Sequence, residues 1–267
     1  MNQIKELFIV KIGGSVITNK NDKFSVNETR LNDLVKEISS IDSRIILIHG
    51  GGSFGHPLAS EYEIEKGYKR KEQLLGFSKT HQAMKELNSI FLDAFIEKGR
   101  PAVSVQTSAC TKVSEGEIVS MELKNISQLL ELGFLPILYG DCVLDMKRGI
   151  GILSGDQIAT FLAQKLKAEK LIFGVDTKGV MTGDPQKKKN TELIPKITPE
   201  TWKKMESFVK GQSGRDVTGG MRNKVEACID LAKNVGIESG IINAKEPGNL
   251  RKAILTDKRI GTKIARE

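Results

Sequence analysis

The densest cluster of chemically capable residues is His49-Gly50-Gly51-Gly52-Ser53-Phe54-Gly55-His56-Pro57, directly after an apolar, β-branched run at 44–48. Three kinds of chemistry share its pattern. As Gly50-x-Gly52-x-x-Gly55 it fits a dinucleotide fingerprint, which needs a helix and then a strand bearing an acid about 20 residues on. Here residue 71 onward reads as a long helical pattern with no such strand. As Gly51-x-Ser53-x-Gly55 it fits a nucleophile elbow, whose partners follow in the order acid, then histidine. The last histidine, His81, lies inside the helical stretch, and no acid-then-histidine pair of that kind follows Ser53. The remaining chemistry is a phosphate cradle. Successive glycines let backbone N–H groups converge on an anion without Cβ obstruction. His56 at the far end can donate to a phosphate oxygen, and Pro57 suits the first position of a following helix. A plain tight turn with a surface histidine accounts for the same residues without chemistry.

Three further constellations point the same way. Lys11-Ile12-Gly13-Gly14-Ser15 ends an apolar run, with Lys20 beyond it. A lysine on a strand end beside a Gly-Gly turn is placed to meet a phosphate, although an ordinary strand lysine reaching solvent looks alike. Ser154-Gly155-Asp156 opens a helix, where Asp156 either complements the helix dipole or holds lysines. Asp216-Val217-Thr218-Gly219-Gly220-Met221 enters another helix, with Lys224 about one turn inside it. The Walker pattern G-x-x-x-x-G-K-[ST] is absent. For an apolar pocket, Phe77, Thr80 and Met84 share one face of the 71–98 stretch, and Ile152 lies just before Ser154. Ordinary core packing explains these four as readily.

The elements that must position these groups alternate along the chain. Strands are expected at 7–12, 44–48, 101–105, 134–139, 170–175 and 237–243. Helices are expected at 27–40, 71–98 (broken or bent within its length), 120–132, 156–166, 198–209, 221–235 and 250–255. Turn residues make 141–153 a hairpin, 211–220 reads as a Gly-rich loop, and 176–196 is the most loop-like stretch. Such alternation predicts an α/β fold with a mostly parallel sheet covered on both faces. At 267 residues, 39% hydrophobic and 28% charged, the chain forms a globular core of one large domain or two small ones.

A net charge of +8 favours anionic ligands. The positive charge is scattered, apart from Lys187-Lys188-Lys189 in what reads as a solvated loop, and only 5% of residues are aromatic. That is poor material for stacking bases, so nucleic acid is not an expected partner. No apolar run approaches the roughly 20 residues that span a bilayer. The N-terminal stretch reads as a strand rather than a signal peptide, which makes the cytoplasm the expected location. Cys110, Cys142 and Cys228 show no metal-ligand or disulfide spacing.

Taken together, the motifs resemble the amino acid kinase superfamily, and within it the isopentenyl phosphate kinases. The resemblance covers nearly the whole chain and also includes Tyr139-Gly140-Asp141 and Val175-Asp176-x-x-Gly179-Val180. His56 after Phe54-Gly55 is more restrictive than the widely shared glycine turns, because that position separates the isopentenyl phosphate and fosfomycin kinases from the carboxylate kinases. The resemblance implies a three-layer α/β/α sandwich, usually a homodimer, with an acceptor-binding half at 1–170 and a nucleotide-binding half at 171–267. It implies ATP and Mg²⁺. Lys11 and Lys224 would contact ATP phosphates, Lys20 the transferring group, and Asp156 would orient lysines. Gly13, Gly14, Ser15, Gly52, Asp176, Gly179 and Gly219 would line the nucleotide site. Gly51, Gly52, His56 and Gly155 would hold the acceptor phosphate, with Phe77 and Ile152 beside its tail. The reaction implied is phosphorylation of isopentenyl phosphate in an alternative mevalonate route to isoprenoids. The other readings are a kinase for a fosfomycin-like phosphonate or a nucleoside monophosphate, and a non-catalytic regulator that binds a phosphorylated ligand. A phosphate monoester, with its second pKa about 6, is already anionic near neutrality and needs no general base. That suits a chain whose best candidates are cations and N–H donors.

Overall fold

The computed structural model describes residues 5–19, 22–183, 190–209, 220–256, 258 and 260–267. Among them the strands are β1 (Leu7–Ile12), β2 (Arg44–His49), β3 (Ala102–Ser104), β4 (Thr111–Ser114), β5 (Glu117–Met121), β6 (Leu135–Tyr139), β7 (Asp141–Asp145), β8 (Gly149–Leu153), β9 (Lys170–Val175), β10 (Lys196–Ile197), β11 (Glu238–Asn243) and β12 (Thr262–Ile264). The helices are α1 (Gly14–Ile17), α2 (Glu28–Ser39), α3 (Gly52–Glu61), α4 (Glu72–Glu97), α5 (Thr107–Cys110), α6 (Lys124–Glu131), α7 (Gly155–Leu166), α8 (Pro199–Val209), α9 (Gly220–Val235) and α10 (Asn249–Leu255).

The central strands β1, β2, β6 and β9 are apolar almost end to end, as strands buried on both faces must be. They form the middle of an eight-stranded sheet ordered β10-β12-β11-β9-β1-β2-β6-β3. Every neighbouring pair is parallel except β11 and β12. Side chains alternate between the faces. Ile9, Ile46, Ile48 and Phe173 pack on one side with Ile158 and Leu162 of α7 and Val225 of α9. Phe8, Val10, Leu47 and Ile172 pack on the other with Val35 of α2, Leu87 and Phe91 of α4, and Leu250 of α10. The result is the expected α/β/α sandwich.

A four-stranded sheet, β5-β4-β7-β8, stands apart from the main one and contains the expected 141–153 hairpin as β7 and β8. Asp145 ties it together. Its carboxylate accepts N–H bonds from Glu115 (3.0 Å), Gly116 (2.7 Å), Lys147 (2.9 Å) and Arg148 (2.9 Å).

The structure departs from expectation in three places. The 71–98 stretch is one unbroken helix. Gly76 does not interrupt it, since it serves a packing contact: a Cβ there would lie 2.2 Å from Cγ of Tyr62. The first part of 120–132 belongs to strand β5, and helix begins only at Lys124, whose N–H is bonded by the Glu122 carboxylate. Pro57 is inside α3, not at its start. Pro57 cannot donate to the carbonyl of Ser53, and the Phe24 N–H bonds that carbonyl instead at 3.3 Å. The expected 211–220 loop, apart from Gly220, lies outside the described residues, as does Lys187-Lys188-Lys189. No helix among the described residues is long and apolar enough to cross a membrane.

Candidate active site

The carboxyl ends of the central parallel strands converge on one cavity of about 900 Å³, the position where open α/β sheets bind ligands. Backbone bonds weld the strand ends together. Gly13 N–H donates to Gly174 (2.8 Å), Gly50 N–H to Ile12 (3.0 Å) and Gly140 N–H to His49 (3.2 Å). The turns after β1 and β2 touch directly, because a Cβ on Gly14 would lie 2.1 Å from the Gly52 nitrogen. Gly52 itself has φ of +49°, which favours glycine. Thr18 bridges these turns: its hydroxyl donates to the Gly14 carbonyl (2.9 Å) and accepts from the Ser53 N–H (3.0 Å).

One wall of the cavity carries an ionic trio. Ser154 caps α7 through a reciprocal capping box with Gln157, which places Asp156 in the first turn. Lys11 Nζ stands 2.7 Å from one Asp156 oxygen, and Lys224 Nζ bonds the other. The Lys224 ammonium also lies over the Phe173 ring, 5.2 Å from its centroid. Lys224, Lys11 and Asp156 have side chains 9%, 12% and 25% exposed, so the group faces the cavity from a largely desolvated position. Burial alone would push the Asp156 carboxyl up, but the two ammonium groups outweigh it and hold the acid well below the usual carboxylate range. Gly155 leaves room for this, since a Cβ there would sit 3.2 Å from the Lys11 Cε.

The opposite wall is formed by α3 and α4. His56 falls in the second turn of α3 and lines the cavity with Thr80, Met84, Asp141 and Ile152. The helices approach closely at Met84: a Cβ on Gly55 would be 2.6 Å from its sulfur. Asp141 is buried, accepts from Ser108 Oγ (2.7 Å) and the Cys142 N–H (2.8 Å), and contacts His81 Nδ1 at 2.9 Å. Desolvation nonetheless raises its pKa.

The cavity therefore brings together Lys11, Gly13, Gly14, Ser15, Gly51, Gly52, His56, Ile152, Gly155, Asp156, Asp176 and Lys224, which are far apart in sequence. Phe77 does not line it, packing instead with Ile64, Cys142 and Ile150. Gly179 does not line it either: its backbone sits against Leu193 and Thr262. Lys20 and Gly219 lie outside the described residues. Thr18 and Asn88 escape sequence reasoning. Asn88 leaves one readable signal, an amide on the otherwise apolar helical face of Leu87, Phe91 and Phe95.

No three His, Cys, Asp or Glu side chains among the described residues are grouped to hold an ion, and both Asp156 oxygens are engaged by lysines.

A profile of the amino acid kinase family matches residues 6–243. The chain is 38% identical to isopentenyl phosphate kinase of Methanothermobacter thermautotrophicus, covering 97% of this chain and 98% of that protein. It is 32% identical to the isopentenyl phosphate kinase of Methanocaldococcus jannaschii over the same shares. A solved structure of an isopentenyl phosphate kinase superposes with a TM-score of 0.84 at 35% identity, covering 97% of this chain and 100% of that one. A UMP kinase from Ureaplasma parvum, at 15% identity and a TM-score of 0.68, shares the fold alone. The chain belongs to the amino acid kinase family and, within it, to the isopentenyl phosphate kinases.

Proposed function

We propose that this chain transfers the γ-phosphoryl group of ATP to isopentenyl phosphate, forming isopentenyl diphosphate and ADP. The observation that carries this reading is the division of one cavity. Lys11 and Lys224, paired on Asp156, stand on one wall, and the glycine turn with His56 and an apolar lining stands on the other. In this reading residues 1–170 supply the acceptor side and also lend Lys11 and Asp156 to the ATP phosphates, while 171–267 supply the rest of the nucleotide side.

A terminal oxygen of the acceptor phosphate attacks the γ-phosphorus. The new O–P bond forms as the bond to the β–γ bridging oxygen breaks, and ADP leaves with that electron pair. The nucleophile is already an anion, so the protein has no proton to remove. Its task is to hold two anions in line and neutralise charge. Lys11 and Lys224 meet the ATP phosphates, with Asp156 fixing the spacing of their ammonium groups. Gly51 and Gly52 offer N–H groups to the acceptor phosphate, and His56 donates beside them. Thr80, Met84 and Ile152 border the isoprenyl tail. Mg²⁺ bound to ATP would supply further shielding of its phosphates beside Lys11 and Lys224. We further read the enzyme as a cytoplasmic homodimer, an assembly that light scattering during size-exclusion chromatography measures.

The deciding experiment measures ADP release from Mg-ATP with isopentenyl phosphate, dimethylallyl phosphate, fosfomycin, UMP, acetylglutamate and carbamate. Highest kcat/KM with isopentenyl phosphate is expected. Preference for any of the last four overturns the substrate, and no release with any acceptor overturns the kinase.

A further inference from the structure

His49 ends β2 one residue before the glycine turn, yet it faces away from solvent entirely. Its ring is sandwiched between Phe91 (centroids 4.6 Å apart, planes at 17°) and Tyr139 (5.5 Å, 16°). Both ring nitrogens nevertheless have polar partners. Nδ1 lies 3.2 Å from the Gly50 carbonyl oxygen, and Nε2 lies 3.2 Å from the amide nitrogen of Asn88. The Asn88 oxygen in turn meets the hydroxyl of Ser104.

These contacts admit one direction of hydrogen bonding. A carbonyl only accepts, so Nδ1 must carry the hydrogen. Nε2 of an uncharged ring then accepts, which requires the Asn88 NH₂ to face it and the Asn88 oxygen to face Ser104, whose hydroxyl donates. Burial keeps the ring uncharged, moving its pKa down to about 4. Asn88 is itself buried and can turn only by breaking both contacts.

The consequence appears at the cavity. The Gly50 carbonyl is drawn toward the buried imidazole, and a trans peptide plane points the next N–H to the opposite side. That N–H belongs to Gly51, which lines the cavity, and among the described residues neither it nor the Gly52 N–H has an acceptor in the chain. We propose that His49, fixed in its Nδ1–H tautomer by Asn88 and Ser104, is a positioning residue that aims the Gly51 N–H at the acceptor phosphate. The inference rests on the acceptor site proposed above.

Two variants separate positioning from packing. His49→Phe keeps the aromatic stack and loses the donor to Gly50. His49→Asn loses the stack but places an amide N–H close to where Nδ1 stood. Binding is read from the Gly51 and Gly52 amide NMR signals during titration with inorganic phosphate and with isopentenyl phosphate, and stability from thermal melting. The expected result is phosphate affinity about tenfold weaker in His49→Phe but within about threefold of the parent in His49→Asn, although His49→Phe melts higher. Affinities that follow the melting order, or that stay unchanged in His49→Phe, overturn the proposal. Long-range ¹⁵N–¹H spectra of the unmutated protein test it even if a variant fails to fold: an Nε2–H tautomer at His49 overturns it. Absence of kinase activity toward isopentenyl phosphate sinks the proposed function instead, while the inorganic phosphate titration still judges His49.

Discussion

Gly14 and Gly52 meet backbone to backbone, so closely that a Cβ on Gly14 would stand 2.1 Å from the Gly52 nitrogen and 2.4 Å from its Cα. The turn that follows the lysine-bearing strand and the turn that forms the proposed cradle are therefore one rigid piece, bridged again by the Thr18 hydroxyl. Gly14→Ala must push them apart. Overpacking of this kind costs about 1–3 kcal/mol. Misplacing two reacting anions by about 1 Å costs on the order of 100-fold in rate. Activity should fall far more than stability does, which kcat/KM and thermal melting measured on the same preparation compare directly.

Asp156 holds the two lysines in register, so Asp156→Asn should lower kcat by about 100-fold or more while ATP still binds. It should also destabilise the fold by about 3 kcal/mol, because two desolvated ammonium groups lose their shared anion. The pH dependence has a definite sign. The folded carboxyl lies below its unfolded value, so its stabilising contribution is fully present above about pH 4 and disappears as pH falls through the folded value. The gap between parent and Asp156→Asn in denaturant melts should thus be constant from neutrality down to about pH 4 and close only in stronger acid.

Asp141 should behave in the opposite sense. Desolvation outweighs the help of Ser108, His81 and the Cys142 N–H, which leaves its folded pKa above the unfolded one. The folded state then binds this proton more tightly, and stability falls as pH rises from about 4 through the raised value. Asp141→Asn should remove that decline. Parallel stability curves for the two proteins across this window would contradict the assignment.

Much of this arrangement is legible in the linear chain because glycine turns at strand ends leave strong local signals. Lys11, Gly13-Gly14, the 49–57 run, Asp156 and Lys224 each stand out by type and neighbourhood, and the parallel sheet that gathers them follows from apolar runs at β-branched spacing. What stays hidden depends on pairing across long sequence separations. Nothing near Thr18 marks it as a bridge to Ser53, and His49 looks like part of the cradle although it is buried behind it. Gly76 shows the limit of local rules: a glycine suggests a break in a helix, yet here it makes room for Tyr62. Phe77 and Thr80 share an apolar helical face, but only Thr80 reaches the cavity, because the small cluster around Ile64 captures Phe77.

Asp145 offers a test of how the smaller sheet supports the acceptor side. The turn between β4 and β5 puts Glu115 and Gly116 at φ of +56° and +84°, a hairpin geometry that a glutamate adopts only at a cost. The Asp145 carboxylate offsets this by accepting both their N–H groups, and its bonds to Lys147 and Arg148 close the neighbouring β7–β8 turn. Burial would raise this acid, yet the backbone donors bring it below its ordinary value, so it stabilises the fold above about pH 4 and less as pH falls. Asp145→Ala leaves four N–H groups to find water and should cost about 3 kcal/mol. Asp145→Asn retains one acceptor oxygen but sets an NH₂ against an N–H, and should cost roughly half as much. Because Ile152 on β8 lines the cavity, loosening this hairpin should raise KM for isopentenyl phosphate severalfold and leave KM for ATP unchanged. Equal rises in both would mean that the four-stranded sheet supports the whole site rather than the acceptor side alone.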